Sequence, residues 1–195
     1  MQRDHSNTEE EIKLPVENIS DALNNIRLVG TYSRTEYIRD TVYGNKLSKE
    51  DKKIRLRISD NLEYSLVEAT RKYRITENSE VKREIEETIY KGSSEDEAKS
   101  MIELQGDFVE ENSYEKIRVH FSANGEVDIT LDIYPYGAVI EVEGKEEKVK
   151  SIASKMGYTK KDYILDSADD LYLKWIKENK LAEQWDVRFG LNGKR

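Results

Sequence analysis

The chain contains no cysteine. Disulfides, thiolate nucleophiles and cysteine-based zinc sites are therefore excluded. Histidine is almost as scarce, with only His5 and His120 among 195 residues, so a multi-histidine metal centre cannot be assembled. No G-x-x-x-x-G-K-[ST] stretch occurs, so a nucleotide or polyphosphate would have to be held by side chains rather than by a glycine-rich backbone cradle. No apolar run approaches the roughly 20 residues needed to span a bilayer, and the opening Met1-Gln2-Arg3-Asp4-His5-Ser6-Asn7-Thr8 is polar. Export and membrane insertion are not expected; a cytoplasmic protein is. A formal net charge of -8 leaves no general electropositive surface and argues against nucleic-acid binding.

What the chain has in abundance is charge, at 37% of residues. Its apolar residues nevertheless recur periodically, which argues for order. The length suits one compact domain over 1–195, and no linker-like stretch interrupts it.

The periodicity is mostly that of strands. In Glu9-Glu10-Glu11-Ile12-Lys13-Leu14, residues two apart share a face, which places Glu9, Glu11 and Lys13 together, and Glu141 and Glu143 do the same near the other end. Like charges about 6.6 Å apart repel by up to about 2.5 kcal/mol at an effective dielectric of 20, so such a face calls for counter-charge. Arg55 and Arg57 lie opposite Ile54, Leu56 and Ile58; Glu84 and Glu86 form another acidic pair. Lys116, Arg118 and His120 form a basic row, and Asp128 and Asp132 an acidic one. At least six strands are thus apolar on one face and ionic on the other.

A sheet with one face on a core and one in water gives the same alternation. Here, however, the signs are sorted by strand. Such strands either neutralise one another across the ladder or line a cavity, with divalent metals on carboxylates and a polyanion on Arg and Lys. His120 is open to two readings, a structural residue or one that assists proton transfer or contacts phosphate.

Four helices are expected. Ile19, Ala22, Leu23 and Ile26 form a stripe after Pro15. Ser94-Glu95-Asp96-Glu97 reads as a capping box for a helix with Ala98, Met101 and Ile102 inward, ending near Gly106. Lys145 to Met156 carries Val149, Ile152, Ala153 and Met156 on one face, with Gly157 as a stop. Ser167 opens the fourth, whose Ala168, Leu171, Tyr172 and Trp175 read as packing rather than a ligand site. Ala123-Asn124-Gly125-Glu126 reads as a hairpin turn. Antiparallel strands with helices to the side make an α+β domain.

Taken in order, the motifs carry a resemblance. Glu9-x-Glu11-x-Lys13 resembles the opening E-x-E-x-K signature of the CYTH superfamily, the triphosphate tunnel metalloenzymes that include class IV adenylate cyclases and thiamine triphosphatases. Asp40-Thr41-Val42-Tyr43, Arg55-Leu56-Arg57, Arg83-Glu84-Ile85-Glu86 and Lys116-Ile117-Arg118 resemble later motifs of that family. Leu131-Asp132 followed by Gly137 to Glu143 is similar to its closing block. The matching positions run from residue 9 to about 175. One departs: the family's "T-Y-K" lysine has no counterpart in Leu62 to Glu68, and Lys72 or Arg74 reaches that place only if the register is shifted.

The resemblance implies an antiparallel eight-stranded β-tunnel with flanking helices and charged residues inward. It implies Mg2+ or Mn2+ on Glu9, Glu11, Glu141 and Glu143, with Glu84, Glu86 and Asp132 as the catalytic acids. Lys13, Arg55, Arg57, Lys116 and Arg118 would bind a small-molecule triphosphate. The expected activity is metal-dependent hydrolysis of inorganic triphosphate, thiamine triphosphate or a nucleoside triphosphate, releasing orthophosphate. The alternatives are a class IV-type cyclase forming cyclic AMP and pyrophosphate, or a non-catalytic triphosphate or polyphosphate binder. No nucleic acid or membrane partner is expected, and a homodimer is compatible with the sequence.

Overall fold

The computed structural model describes residues 8–45, 53–75, 80–180 and 186–190. Eight strands form a closed antiparallel barrel: β1 (Thr8–Pro15), β2 (Thr31–Asn45), β3 (Lys53–Asp60), β4 (Ser65–Arg74), β5 (Lys82–Gly92), β6 (Phe108–Ala123), β7 (Val127–Tyr134) and β8 (Gly137–Gly144). Their order around the ring is β2-β3-β4-β5-β1-β8-β7-β6, and β6 returns to β2 along a seam from Thr31–Ser122 to Asn45–Phe108. A two-residue strand, β9 (Asp186–Val187), adds in parallel to β6 at Ser113 and Tyr114, beyond the reach of β7. No periodicity announces so short a strand.

The barrel is built inside out. Ile12, Leu14, Ile129, Leu131, Ile140 and Val142, all 0% exposed, form an outer face. They pack with Ala22 and Ile26 of α1 (Ile19–Arg27) and with Val149, Ile152 and Ala153 of α3 (Glu146–Lys155). A second apolar cluster joins Ile54, Leu56, Val67 and Ala69 to Ala98 and Ile102 of α2 (Glu95–Glu103). With their apolar faces covered by helices, the ionic faces of β1, β3, β5, β6 and β8 turn toward the barrel axis and not to bulk water.

Two expected inward positions lie outside the packed faces. Ile19 is 41% exposed and Met101 36%, because on these nine-residue helices only an i, i+4 pair, Ala22 with Ile26 and Ala98 with Ile102, meets the sheet squarely. The capping box at Ser94 is half formed. Ser94 Oγ accepts from Glu97 N–H, but the return bond is relayed: Ser94 N–H donates to the Tyr90 hydroxyl, which donates to the Glu97 carboxylate.

The hairpin between β6 and β7 is as expected, with Asn124 and Gly125 at φ 54° and 69°, values that favour Asn and Gly. Helix α4 (Ala168–Glu178) begins with a complete capping box between Ser167 and Asp170. Its Tyr172 and Trp175 lie 5.3 and 6.0 Å from Tyr136, between β7 and β8, so that part of the stripe is packing. No helix among the described residues is long and apolar enough to cross a membrane.

Candidate active site

A cavity of about 610 Å³ runs into the barrel. Eleven of the twelve residues singled out in the sequence line it: Glu9, Glu11, Lys13, Arg55, Arg57, Glu84, Glu86, Lys116, Arg118, Glu141 and Glu143. The twelfth, Asp132, lies behind the wall with 0% exposure. There its carboxylate accepts both Nε and Nη2 of Arg118 and Nζ of Lys116, each at 2.6 Å, and the Tyr134 hydroxyl at 3.2 Å. Asp40, also 0% exposed, grips Arg57 in the same bidentate way at 2.7 and 2.8 Å. Each buried aspartate thus fixes one planar guanidinium at the cavity wall.

Register explains which charges meet. Between β1 and β8, Lys13 faces Glu141 but Glu11 faces Glu143; between β1 and β5, Glu11 faces Lys82 while Glu9 faces Glu84. Unlike pairs close directly and like pairs borrow a cation from a neighbouring strand. Lys13 Nζ lies 2.9 Å from Glu11 and 3.4 Å from Glu141. Lys82 Nζ lies 2.9 Å from both Glu11 and Glu84. Lys72 contacts Glu86 closely and reaches Glu84 at 3.5 Å and Glu9 at 3.6 Å. Arg55 completes the Glu86 side at 3.3 Å.

These contacts settle the charge states. Burial pushes Glu11 upward, but Lys13 and Lys82 outweigh it and hold its carboxyl at about 2. Burial likewise opposes ionisation of Glu141, Asp40 and Asp132, and the adjacent Lys13, Arg57 and Arg118 overcome it. Lys116 goes the other way: burial, aided by the Arg118 and Arg57 guanidiniums, lowers it to about 8 against the pull of Asp132.

Because Lys116 is nearly neutral in the fold where the unfolded chain still holds its proton, the unfolded state binds more protons between about pH 8 and 10.4. Stability relative to a Lys116→Met variant should therefore rise through that window, by up to roughly 3 kcal/mol, and be flat below it. Denaturant titrations of both proteins across the window measure this.

Glu143 stands apart. Among the described residues it has no ion-pair or hydrogen-bond partner. Burial raises its carboxyl to about 7, and Glu9 and Glu11 press in the same direction. Glu9 is also raised, again chiefly by burial, against the pull of Lys72. Among the described residues no three acidic side chains converge as a ready-made metal cage, since lysines occupy the spaces between carboxylates. Hard oxygen donors with uncompensated negative charge nevertheless fit Mg2+ or Mn2+ on the Glu143 side of the ring.

No protein-family model matches the sequence, and no curated protein does. Solved structures do. The PH1819 protein of Pyrococcus horikoshii superposes with a TM-score of 0.69 at 23% identity, covering 85% of this chain and 98% of its own. A candidate adenylate cyclase from Vibrio parahaemolyticus gives 0.65 at 20% identity, covering 85% and 97%. A candidate adenylyl cyclase from Hippeastrum with a dominant triphosphatase activity gives 0.59 at 12% identity, covering 92% and 99%. The chain shares with these proteins an eight-stranded antiparallel β-tunnel, the fold that the resemblance implied.

Within this tunnel, Lys72 bears on the departure seen in the sequence. It lies on the cavity wall from β4, two residues beyond Thr70 on the same face. Strand β4 thus brings a lysine to the tunnel from Thr70-Arg71-Lys72, later in the chain than Leu62 to Glu68; the side chain of Arg74 lies outside the described residues. Lys82, also on the wall, escaped notice although it precedes Glu84 by two and shares its parity.

His120 does not line the tunnel cavity. Its Nε2 lies 2.7 Å from Glu36, a carboxyl that burial would raise but that His120, Tyr64 and Arg34 together hold far down. His5 lies outside the described residues. The start of α4 contributes Ser167, Ala168 and Asp170 to the cavity, which the packing assignment of its stripe left out.

Proposed function

We propose that this protein is a metal-dependent hydrolase of a triphosphate-containing substrate that releases orthophosphate. The observation that carries this reading is the juxtaposition, in one 610 Å³ cavity, of rigid guanidiniums with a carboxylate ring in which Glu143, among the described residues, has no ion-pair partner. An anion binder alone would gain nothing from those carboxylates unless a cation bridged them to its ligand. The triphosphatase activity of the Hippeastrum protein, which shares the fold, supports the same reading.

Asp40 and Asp132 hold Arg57 and Arg118 in fixed planes, leaving the remaining N–H groups of each fork for phosphate oxygens. Lys13, held between Glu11 and Glu141, adds fixed positive charge at the wall, Lys72 and Arg55 bring partly exposed cations to the same oxygens, and Arg55 Nε is buried with no hydrogen bond of its own. Glu9, Glu11, Glu141 and Glu143 would hold Mg2+ or Mn2+, which when bound neutralises phosphate charge and lowers the pKa of a coordinated water. Glu84 Oε2 is buried without a hydrogen bond, with Lys72 Nζ at 3.5 Å, and once a phosphate draws Lys72 away it is an acceptor suited to orienting the attacking water. Positioning and electrostatics then supply most of the rate.

The test is to incubate the protein with tripolyphosphate, thiamine triphosphate or ATP, with and without Mg2+ or Mn2+, and to resolve the products. Metal-dependent orthophosphate is expected. Cyclic AMP with pyrophosphate from ATP would replace this reading with a cyclase, and absence of any product would leave only a binder.

A further inference from the structure

We propose that Lys82 is a built-in cation in the carboxylate ring, so that this chain binds one divalent ion where its acids alone would hold two. The proposal rests on the metal-dependent reading above. Lys82 opens β5 two residues before Glu84, so both side chains share the tunnel face, and the register sets it opposite Glu11. Its Nζ lies 2.9 Å from Glu11 Oε1 and 2.9 Å from Glu84 Oε1, with the side chain 9% exposed. An ammonium buried to that degree cannot leave two carboxylates without stranding all three charges. It therefore occupies the bridging position between β1 and β5 that a divalent ion would need.

The other tunnel lysines are placed differently. Lys72 is 25% exposed and shared among three carboxylates, so a phosphate can draw it away. Lys13 serves the opposite side, between Glu11 and Glu141. What remains for a divalent ion is the Glu143 side, where among the described residues no cation pairs with that carboxylate. A second, independent sign lies at Glu84. Lys82 satisfies only its Oε1, and Oε2 is buried without a hydrogen bond, with the partly exposed Lys72 at 3.5 Å, so an ion admitted by removal of Lys82 finds an acceptor that only Lys72 contests.

The experiment counts Mn2+ ions bound by the full chain, using the electron paramagnetic resonance signal of free Mn2+ and calorimetric titration, with no turnover required. The wild type and Lys82→Arg are expected to bind one ion, and Lys82→Gln two. Two ions in the wild type, or one in a folded Lys82→Gln, overturn the proposal while leaving the metal reading in place. No Mn2+ binding by any of them overturns both. Should Lys82→Gln not fold, Glu84→Gln decides: one ion with affinity within threefold of wild type is expected, and a loss beyond tenfold overturns the assignment, because Glu84 would then be a ligand of the single ion.

Discussion

Replacing Arg118 by alanine is expected to lower the melting temperature by between about 6 and 20 °C, the largest effect of any single change in the tunnel. Arg118 holds both oxygens of Asp132 at 2.6 Å and also contacts Glu141, so its loss strands one fully buried carboxylate and weakens the support of another. Breaking a buried pair from one side costs about 3–5 kcal/mol, because the surviving charge keeps its desolvation penalty and loses its partner. For a chain of this length each kcal/mol is worth roughly 2–4 °C. Tripolyphosphate should stabilise the variant less than the wild type, since a phosphate contact goes with the ion pair. Scanning calorimetry with and without ligand gives both numbers; a shift below about 2 °C would show that Lys116 alone can hold Asp132.

Replacing Glu143 by glutamine should act in the opposite direction. In chelator at pH 8 the variant is expected to be more stable than the wild type, by on the order of 1–3 kcal/mol. The folded-state pKa of Glu143, about 7, lies above the ordinary carboxyl value of 4.5, so the fold prefers the neutral carboxyl and its ionisation costs stability as pH rises through that interval. A permanently neutral amide escapes this cost, and below about pH 4.5 the two proteins should converge. Added Mg2+ should then reverse the ranking, stabilising the wild type by mass action and the variant little. Melts at pH 8 in chelator and in Mg2+ test this. A variant that is less stable in chelator, or that keeps the full Mg2+ shift, would remove Glu143 from the cation site.

Much of the tunnel was legible because an inside-out barrel preserves strict alternation. Ile12 and Leu14 face helices while Glu11 and Lys13 face the axis, so parity along β1 reports the faces whichever side is wet. The sorting of sign by strand also survived into the structure, in the form of cross-strand lysines set against acidic rows. Two classes of residue were harder to read. Asp132 shares a parity with wall residues, yet depth separates it from them, and periodicity carries no depth. Lys72 and Lys82 sit beside Arg71 and Arg83, and in a run of basic residues only the register shows which one points inward. The exposure of Ile19 and Met101 depends on how short helices lie on a curved sheet, which is a tertiary property.

The seam between β2 and β6 also governs how this molecule must be made. Its two strands are separated in sequence by β3, β4, β5 and α2, whereas the other junctions from β2 to β5 and from β6 to β8 are between successive strands. Hairpins on either side can form early, at small loop-closure cost, but the ring closes only when β2 meets β6 and β1 enters between β5 and β8. Until then Arg57 has Asp40 and Lys116 has Asp132, each from a neighbouring strand, while Glu36 lacks His120, its partner across the seam, and Glu11 lacks Lys82. The long-range part of the salt network is therefore a late product of assembly, and the cavity exists only in chains that have already closed.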